Sequence, residues 1–185
     1  EIARLRNEYN ILNSLNIKGV IKPISLEVYQ NSLALVFQEF GSQSIKTEMA
    51  SGEKLDLKLF LKIAINLSKT LEQIHQNQII HKDIKPHNIL LNLQTGEIEI
   101  IDFSIASKLE KETAQATNPN FLEGTLAYMS PEQTGRMNRS IDYRTDFYSL
   151  GATFYEMLTG KVPFTASDAM ELVHCHIAKQ PIPPS

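Results

Sequence analysis

Residues 81–88 read His81-Lys82-Asp83-Ile84-Lys85-Pro86-His87-Asn88, and this stretch decides the fold. On its N-terminal side, residues 56–76 place Phe60, Ile63, Ala64, Leu67, Leu71 and Ile74 at steps of three and four. That spacing predicts a long core-packed helix, with Asp56 at its N-cap. On the C-terminal side lie two short apolar runs, 88–92 and 97–101. The turn pair Thr95-Gly96 between them predicts a small hairpin.

Farther out, Ile2, Leu5, Tyr9, Leu12 and Leu15 share one face of a helix over 2–16, which Gly19 stops. The β-rich runs 20–28 and 32–40, joined through Tyr29-Gln30-Asn31-Ser32, predict a second hairpin. Residues 41–52 read as a polar loop. Residues 104–124 are polar and aperiodic, a long loop of the kind that carries function in compact domains. A helix is expected over 144–158, with apolar Phe147, Leu150, Phe154, Tyr155 and Leu158, closed by Gly160. Another is expected over 168–179, ended by Pro181, Pro183 and Pro184.

Composition narrows the function classes. The 185 residues are 42% hydrophobic and 21% charged with net charge −3, an ordinary globular balance. No Lys/Arg cluster gives nucleic acid a footing. The single cysteine, Cys175, has no partner for an internal disulfide, so a reducing, cytoplasmic setting and a half-buried helical position are expected. No apolar run approaches the ~18 residues of a membrane span, so none is expected in this chain. Residues 1–10 do not resemble a signal peptide. They read as the middle of a helix.

The octet 81–88 resembles the catalytic loop of protein kinases, H-[RK]-D-x-K-x-x-N. Three more stretches resemble that family, in the same order along the chain. Ile101-Asp102-Phe103-Ser104 stands where kinases carry the D-F-G metal motif, with Ser104 in place of glycine. Gly124-Thr125-Leu126-Ala127-Tyr128-Met129-Ser130-Pro131-Glu132 resembles the end of the activation segment. Residues 142–151 resemble the start of the central large-lobe helix, with Asp146 as an anchor for the catalytic-loop backbone.

The resemblance implies an α+β, kinase-like two-lobe fold. Residues 1–40 correspond to a partial small lobe, the family's C helix and the hairpin of its fourth and fifth strands. Residues 41–185 correspond to most of the helical large lobe, to about the G helix. ATP and Mg²⁺ are the implied cofactors, and a protein bearing Ser or Thr is the implied substrate. Asp83 is the implied base, Lys85 the γ-phosphate contact, and Thr125 a hydrogen-bonding neighbour of both. Asn88 and Asp102 are the implied metal ligands. Glu8 matches the C-helix glutamate that pairs with a strand-3 lysine. Phe37 falls at the gatekeeper position, Gln38 and Phe40 offer backbone groups to adenine, and Leu90 floors the adenine pocket.

Several expectations come from departures and gaps. Serine at 104 restricts the backbone freedom that glycine has. Lys82, where arginine is usual, keeps the charge without the bidentate fork. A pseudokinase or ATP-binding scaffold is the alternative that these two changes support. A small-molecule phosphotransferase fits poorly with the Ser130-Pro131-Glu132 segment. Glu132 is expected to lack the arginine that pairs with it in a later helix. The Gly-rich loop and strand-3 lysine are expected outside this stretch, which alone is expected to turn over little. Thr113, Thr117 and Thr125 are candidate phosphorylation sites. The run Gly124 to Arg139, together with Ile101–Ser104, is similar to the kinase domain of large bacterial multi-sensor proteins. In those, an ATPase module, a GAF domain and often a histidine kinase follow in the same polypeptide.

Overall fold

The computed structural model describes residues 2–39, 41–50, 56–110, 124–137 and 139–184. Helix α1 spans Ile2–Ser14. Its inward face carries Ile11 and Leu12 together with the carboxylate of Glu8, while Ile2 points to solvent. The chain then turns at Gly19, whose φ is +92°, and runs beside the strand that contains Ile100. Strands β1 (Pro23–Tyr29) and β2 (Ser32–Phe37) form the expected antiparallel hairpin. Tyr29 pairs with Ser32 across the two-residue turn Gln30-Asn31, with Gln30 at φ +53°. The hairpin packs on α1.

The expected polar loop over 41–52 is corrected in part. Gln43–Ser44 is a short strand, β3, and Ile45–Ala50 is a helix, α2. Two features form that helix: the Ser44 hydroxyl accepts the Thr47 amide at 3.1 Å, and Ile45 is fully buried. One buried residue in six leaves no periodicity to read in advance.

Helix α3 (Leu57–Gln76) is the long helix expected from the spacing, and it buries Phe60, Ile63, Leu67, Thr70, Leu71 and Ile74. Asp56 holds the N-cap position with extended backbone, but its side chain makes no cap bond. Strand β4 (Ile79–Ile80) follows, then a 3-10 turn at Pro86–Asn88, then β5 (Ile89–Leu91) and β6 (Ile98–Ile100). The order in the main sheet is β3-β5-β6, all antiparallel. Strand β7 (Ser107–Lys108) lies in the expected loop over 104–124 and pairs with β4.

Side chains from α1, α3, β5 and β6 join in one buried cluster that includes Leu12, Ile63, Leu71, Ile89, Ile100 and Phe103. Fully burying one such side chain contributes roughly 1.5–3 kcal/mol.

Helix α4 (Arg144–Thr159) occupies the expected span and ends at Gly160 in the left-handed region. Its apolar residues do not mark its inner face: Phe147 and Leu158 are exposed. Inside instead are Thr145, Asp146, Ser149, Thr153 and Glu156, beside Leu150, Ala152 and Met157. These polar groups are satisfied by the loops they support. Ser149 donates to the Tyr128 carbonyl at 2.8 Å, and Thr153 donates to the Ile84 carbonyl at 3.4 Å. Helix α5 (Ala169–Ala178) is capped by Asp168, which accepts the amides of Met170 and Glu171 at 2.8 and 2.9 Å. Cys175 is fully buried there, deeper than the half-buried position expected.

Candidate active site

The loop 81–85 is held by one carboxylate. Asp146, fully buried on α4, accepts the amides of His81 at 2.9 Å and Lys82 at 2.7 Å. It also accepts Nε2–H of His75, from the end of α3, at 2.8 Å. The three donors compensate the burial of its charge. Lys82 sits in the left-handed region at φ +68°, so the chain turns sharply just before Asp83.

Asp83 is the centre of the site. Thr125 donates its amide to Oδ1 at 3.0 Å. Lys85 Nζ at 2.5 Å and Asn88 Nδ2 at 3.0 Å donate to Oδ2. Lys85 also reaches the Thr125 hydroxyl at 2.7 Å. Asn88 Nδ2 spans to the Asp83 carbonyl as well, at 3.0 Å. Asp83, Lys85, Asn88 and Thr125 therefore form one connected group, drawn from the loop, a 3-10 turn and the segment beginning at Gly124.

His81 couples this group to residues 101–103. Its Nδ1 accepts the Asp83 amide at 3.2 Å, and its Nε2–H donates to the Ile101 carbonyl at 3.1 Å, which fixes the tautomer. The ring meets Phe103 edge-on, with centroids 4.6 Å apart, and Phe103 is fully buried. Asp102 follows β6 at φ +63°, in the left-handed region that non-glycine residues seldom enter. Its Oδ1 accepts the Ser104 hydroxyl at 2.6 Å and, more distantly, the Ser104 amide at 3.4 Å.

Glu8 joins the site through the backbone: its Oε1 accepts the Phe103 amide at 2.9 Å. Burial holds the Glu8 carboxyl above the usual range, the Phe103 amide opposes that shift, and the Asp102 charge adds to it. Its neighbour Asn7 donates to the Ala106 carbonyl at 3.0 Å, so α1 grips this segment at two points. Nothing in the sequence singled out Asn7.

The adenine-side residues stand apart from that network. Phe37 ends β2 and packs against the core, as does Leu90 on β5, where it pairs with Ser44 and Glu99. Gln38 is exposed and lines a 480 Å³ cleft with Ile17, Lys22 and Glu99. Phe40, Thr113 and Thr117 lie outside the described residues.

Sequence reasoning missed two residues that tie the 124–134 segment down. Gln133 donates from Nε2 to the Lys82 carbonyl at 2.8 Å, and its Oε1 accepts the Ser130 amide at 3.1 Å. Glu156, buried on α4, accepts the Tyr128 hydroxyl at 2.5 Å and Lys46 Nζ at 2.6 Å. Burial, followed by the Glu156 bond, raises the Tyr128 phenol well above its ordinary value. Glu132, expected to stand unpaired, accepts the Thr145 hydroxyl at 2.8 Å. A hydroxyl at the second position of α4 thus gives one Glu132 oxygen a hydrogen-bond partner.

The donor set suits a hard cation. Asn88 spends its amide nitrogen on Asp83, which turns its oxygen the other way. Asp102 Oδ2 accepts no bond from the described residues. Among the described residues, no group of three or more His, Cys, Asp or Glu could cage a metal by itself. Two oxygens without a cage match Mg²⁺, which keeps waters and phosphate oxygens in its shell.

Asp83 is thus held beside a lysine, with Asn88 and Thr125 bonded to the same carboxylate. The chain belongs to the protein kinase domain family, whose model matches residues 1–183. It is 32% identical over 183 residues to a probable serine/threonine-protein kinase of Clostridium perfringens, covering 99% of this chain and 26% of that protein. It is 31% identical over 176 residues to the serine/threonine-protein kinase PrkC of Bacillus subtilis, covering 95% and 26%. Against the serine/threonine-protein kinase PknB of Mycobacterium tuberculosis it is 38% identical over 125 residues, covering 68% and 20%. The chain thus spans about a quarter of the length of the curated relatives it matches.

Proposed function

We propose that this chain contributes the catalytic loop and metal-binding segment of a serine/threonine protein kinase, which transfers the γ-phosphate of ATP to a Ser or Thr hydroxyl of a protein. The observation that carries the reading is the bond set of Asp83. One oxygen is fixed by the Thr125 amide and the other by Lys85 and Asn88.

In this reading Asn88 and Asp102 would hold Mg²⁺, which would supply charge neutralisation at the phosphates. Asp83 orients the acceptor hydroxyl and takes its proton. Lys85, already between Asp83 and Thr125, offsets charge on the transferring phosphoryl group. Thr125 keeps both in place. Glu8 orients the segment after β6 through the Phe103 amide. Phe37 takes the gatekeeper position, the Gln38 main chain serves adenine, and Leu90 floors the adenine pocket.

The run from Gly124 to Arg139 supports membership of the bacterial multi-sensor kinases, with ATPase, GAF and histidine kinase modules as neighbours in the same cytoplasmic polypeptide.

The test is ³²P transfer from ATP with Mg²⁺ by the intact protein, beside Asp83→Asn, with a basic protein and the kinase itself as acceptors. Phosphoserine or phosphothreonine is expected from wild type, with a loss of at least a hundred-fold in the variant. Transfer that survives in Asp83→Asn refutes the assignment of the base. Mg-ATP binding without any transfer by wild type supports the scaffold instead.

A further inference from the structure

We propose that Ser104 is a positioning residue for the metal-binding carboxylate of Asp102, an inference that rests on the kinase reading above. The family motif has glycine here, and the sequence alone suggests that serine hampers the backbone. The geometry points elsewhere. Among the described non-glycine residues, only Gln30, Gln78, Lys82 and Asp102 have positive φ, so Ser104 has a backbone any residue adopts. Glycine is not required at this position in the conformation described. The unusual backbone belongs to Asp102, at φ +63°.

What serine adds is a hydroxyl. Its Oγ donates to Asp102 Oδ1 at 2.6 Å, while the amide of the same residue is 3.4 Å from that oxygen. With glycine, only the long amide contact would remain. With serine, a short charge-assisted bond fixes the carboxylate rotamer. Both donors converge on Oδ1, so Oδ2 stays free of donors from the described residues. The carboxylate is thereby set with one oxygen anchored and the other available. The side chain of Ser104 acts on the metal only through Asp102. Outer partners of this kind typically change metal affinity by about ten- to a hundred-fold.

The experiment is Mn²⁺ binding to the intact protein, followed by electron paramagnetic resonance with a non-hydrolysable ATP analogue present. The comparison is wild type, Ser104→Ala, Ser104→Gly and Ser104→Thr, with Asp102→Asn as the reference for a lost ligand. Thermal unfolding without metal checks that each variant is folded. Alanine and glycine variants are expected to bind Mn²⁺ about ten-fold more weakly. Threonine, which restores a hydroxyl at the same reach, is expected to remain within about two-fold of wild type. Alanine binding like wild type overturns the proposal and leaves the kinase reading intact. So does a folded threonine variant as weak as alanine. Wild type that binds no Mn²⁺ with the nucleotide overturns both. Should the alanine and glycine variants fail to fold, a folded threonine variant that binds Mn²⁺ about ten-fold more weakly than wild type overturns the proposal, and one within about two-fold upholds it.

Discussion

Replacing Asp146 by asparagine keeps the shape of the side chain and removes its charge and one acceptor. In the structure three donors converge on this carboxylate: the His81 and Lys82 amides and His75 Nε2. Two of them share Oδ2, so the best orientation of an asparagine puts its oxygen there and its NH₂ against the Lys82 amide. One bond is then lost and leaves a buried donor unpaired, which costs about 1–3 kcal/mol. The other two become bonds to a neutral acceptor, each weaker by about 1 kcal/mol. Relief from burying a carboxylate offsets part of this. The expected net loss is about 3 kcal/mol, or a fall of roughly 1 M in the urea midpoint at a slope of about 2–3 kcal/mol/M. The protein has no tryptophan, so far-ultraviolet circular dichroism is the suitable probe. Transfer activity should fall as well, because the 81–83 backbone that aims Asp83 loses its anchor. A midpoint within about 0.3 M of wild type would refute the argument that this carboxylate organises the loop.

Two further perturbations test other parts of the site. Gly124 has φ +110°, and a Cβ there would lie 3.3 Å from the Lys82 carbonyl; Gly124→Ala is expected to cost about 1–3 kcal/mol in thermal unfolding and to loosen the Thr125 amide from Asp83. An unchanged melting temperature would dismiss that strain. His176 on α5 is buried, with Nδ1 at 2.7 Å from the Tyr148 hydroxyl, and burial lowers its pKa from 6.5. Its unfolded form therefore takes up a proton first, and stability falls as pH drops through 6.5 towards the depressed folded value. Wild type should lose urea resistance faster than His176→Leu between about pH 7 and about pH 5, and parallel slopes would contradict this.

The chemistry was more legible than the scaffold that holds it. Asp83, Lys85 and Asn88 fall within the octet that resembles the kinase catalytic loop, so the resemblance grouped them. Their supports come from far away: Gln133 reaches the Lys82 carbonyl across 51 positions and Asn7 reaches Ala106 across 99. No local pattern marks such partners. Helices α1 and α3 were readable because an apolar stripe packs on an apolar core. Helix α4 was readable in extent only. Its inner face serves loops that need hydrogen bonds, so Ser149 and Thr153 go inside while Phe147 stays out. The two-residue strands β4 and β7 are too short for alternation to appear. At Ser104 the motif points to backbone freedom, which concerns a change of conformation, whereas in the described conformation the Ser104 hydroxyl bonds to Asp102.

The long reach of the bonds around Asp83 also bears on how the protein is made. Loop 81–83 waits for Asp146, 65 positions beyond His81, and α1 waits 95 positions for the amide that Glu8 accepts. A chain emerging from the ribosome can form α1 and α3 early, since helices need only near neighbours. It has no organised Asp83 until α4 has been synthesised and has docked. Domains tend to fold as units during synthesis, and contacts of large sequence separation slow that step. A nascent chain stalled before residue 146 would therefore be helical yet without a shaped 81–83 loop.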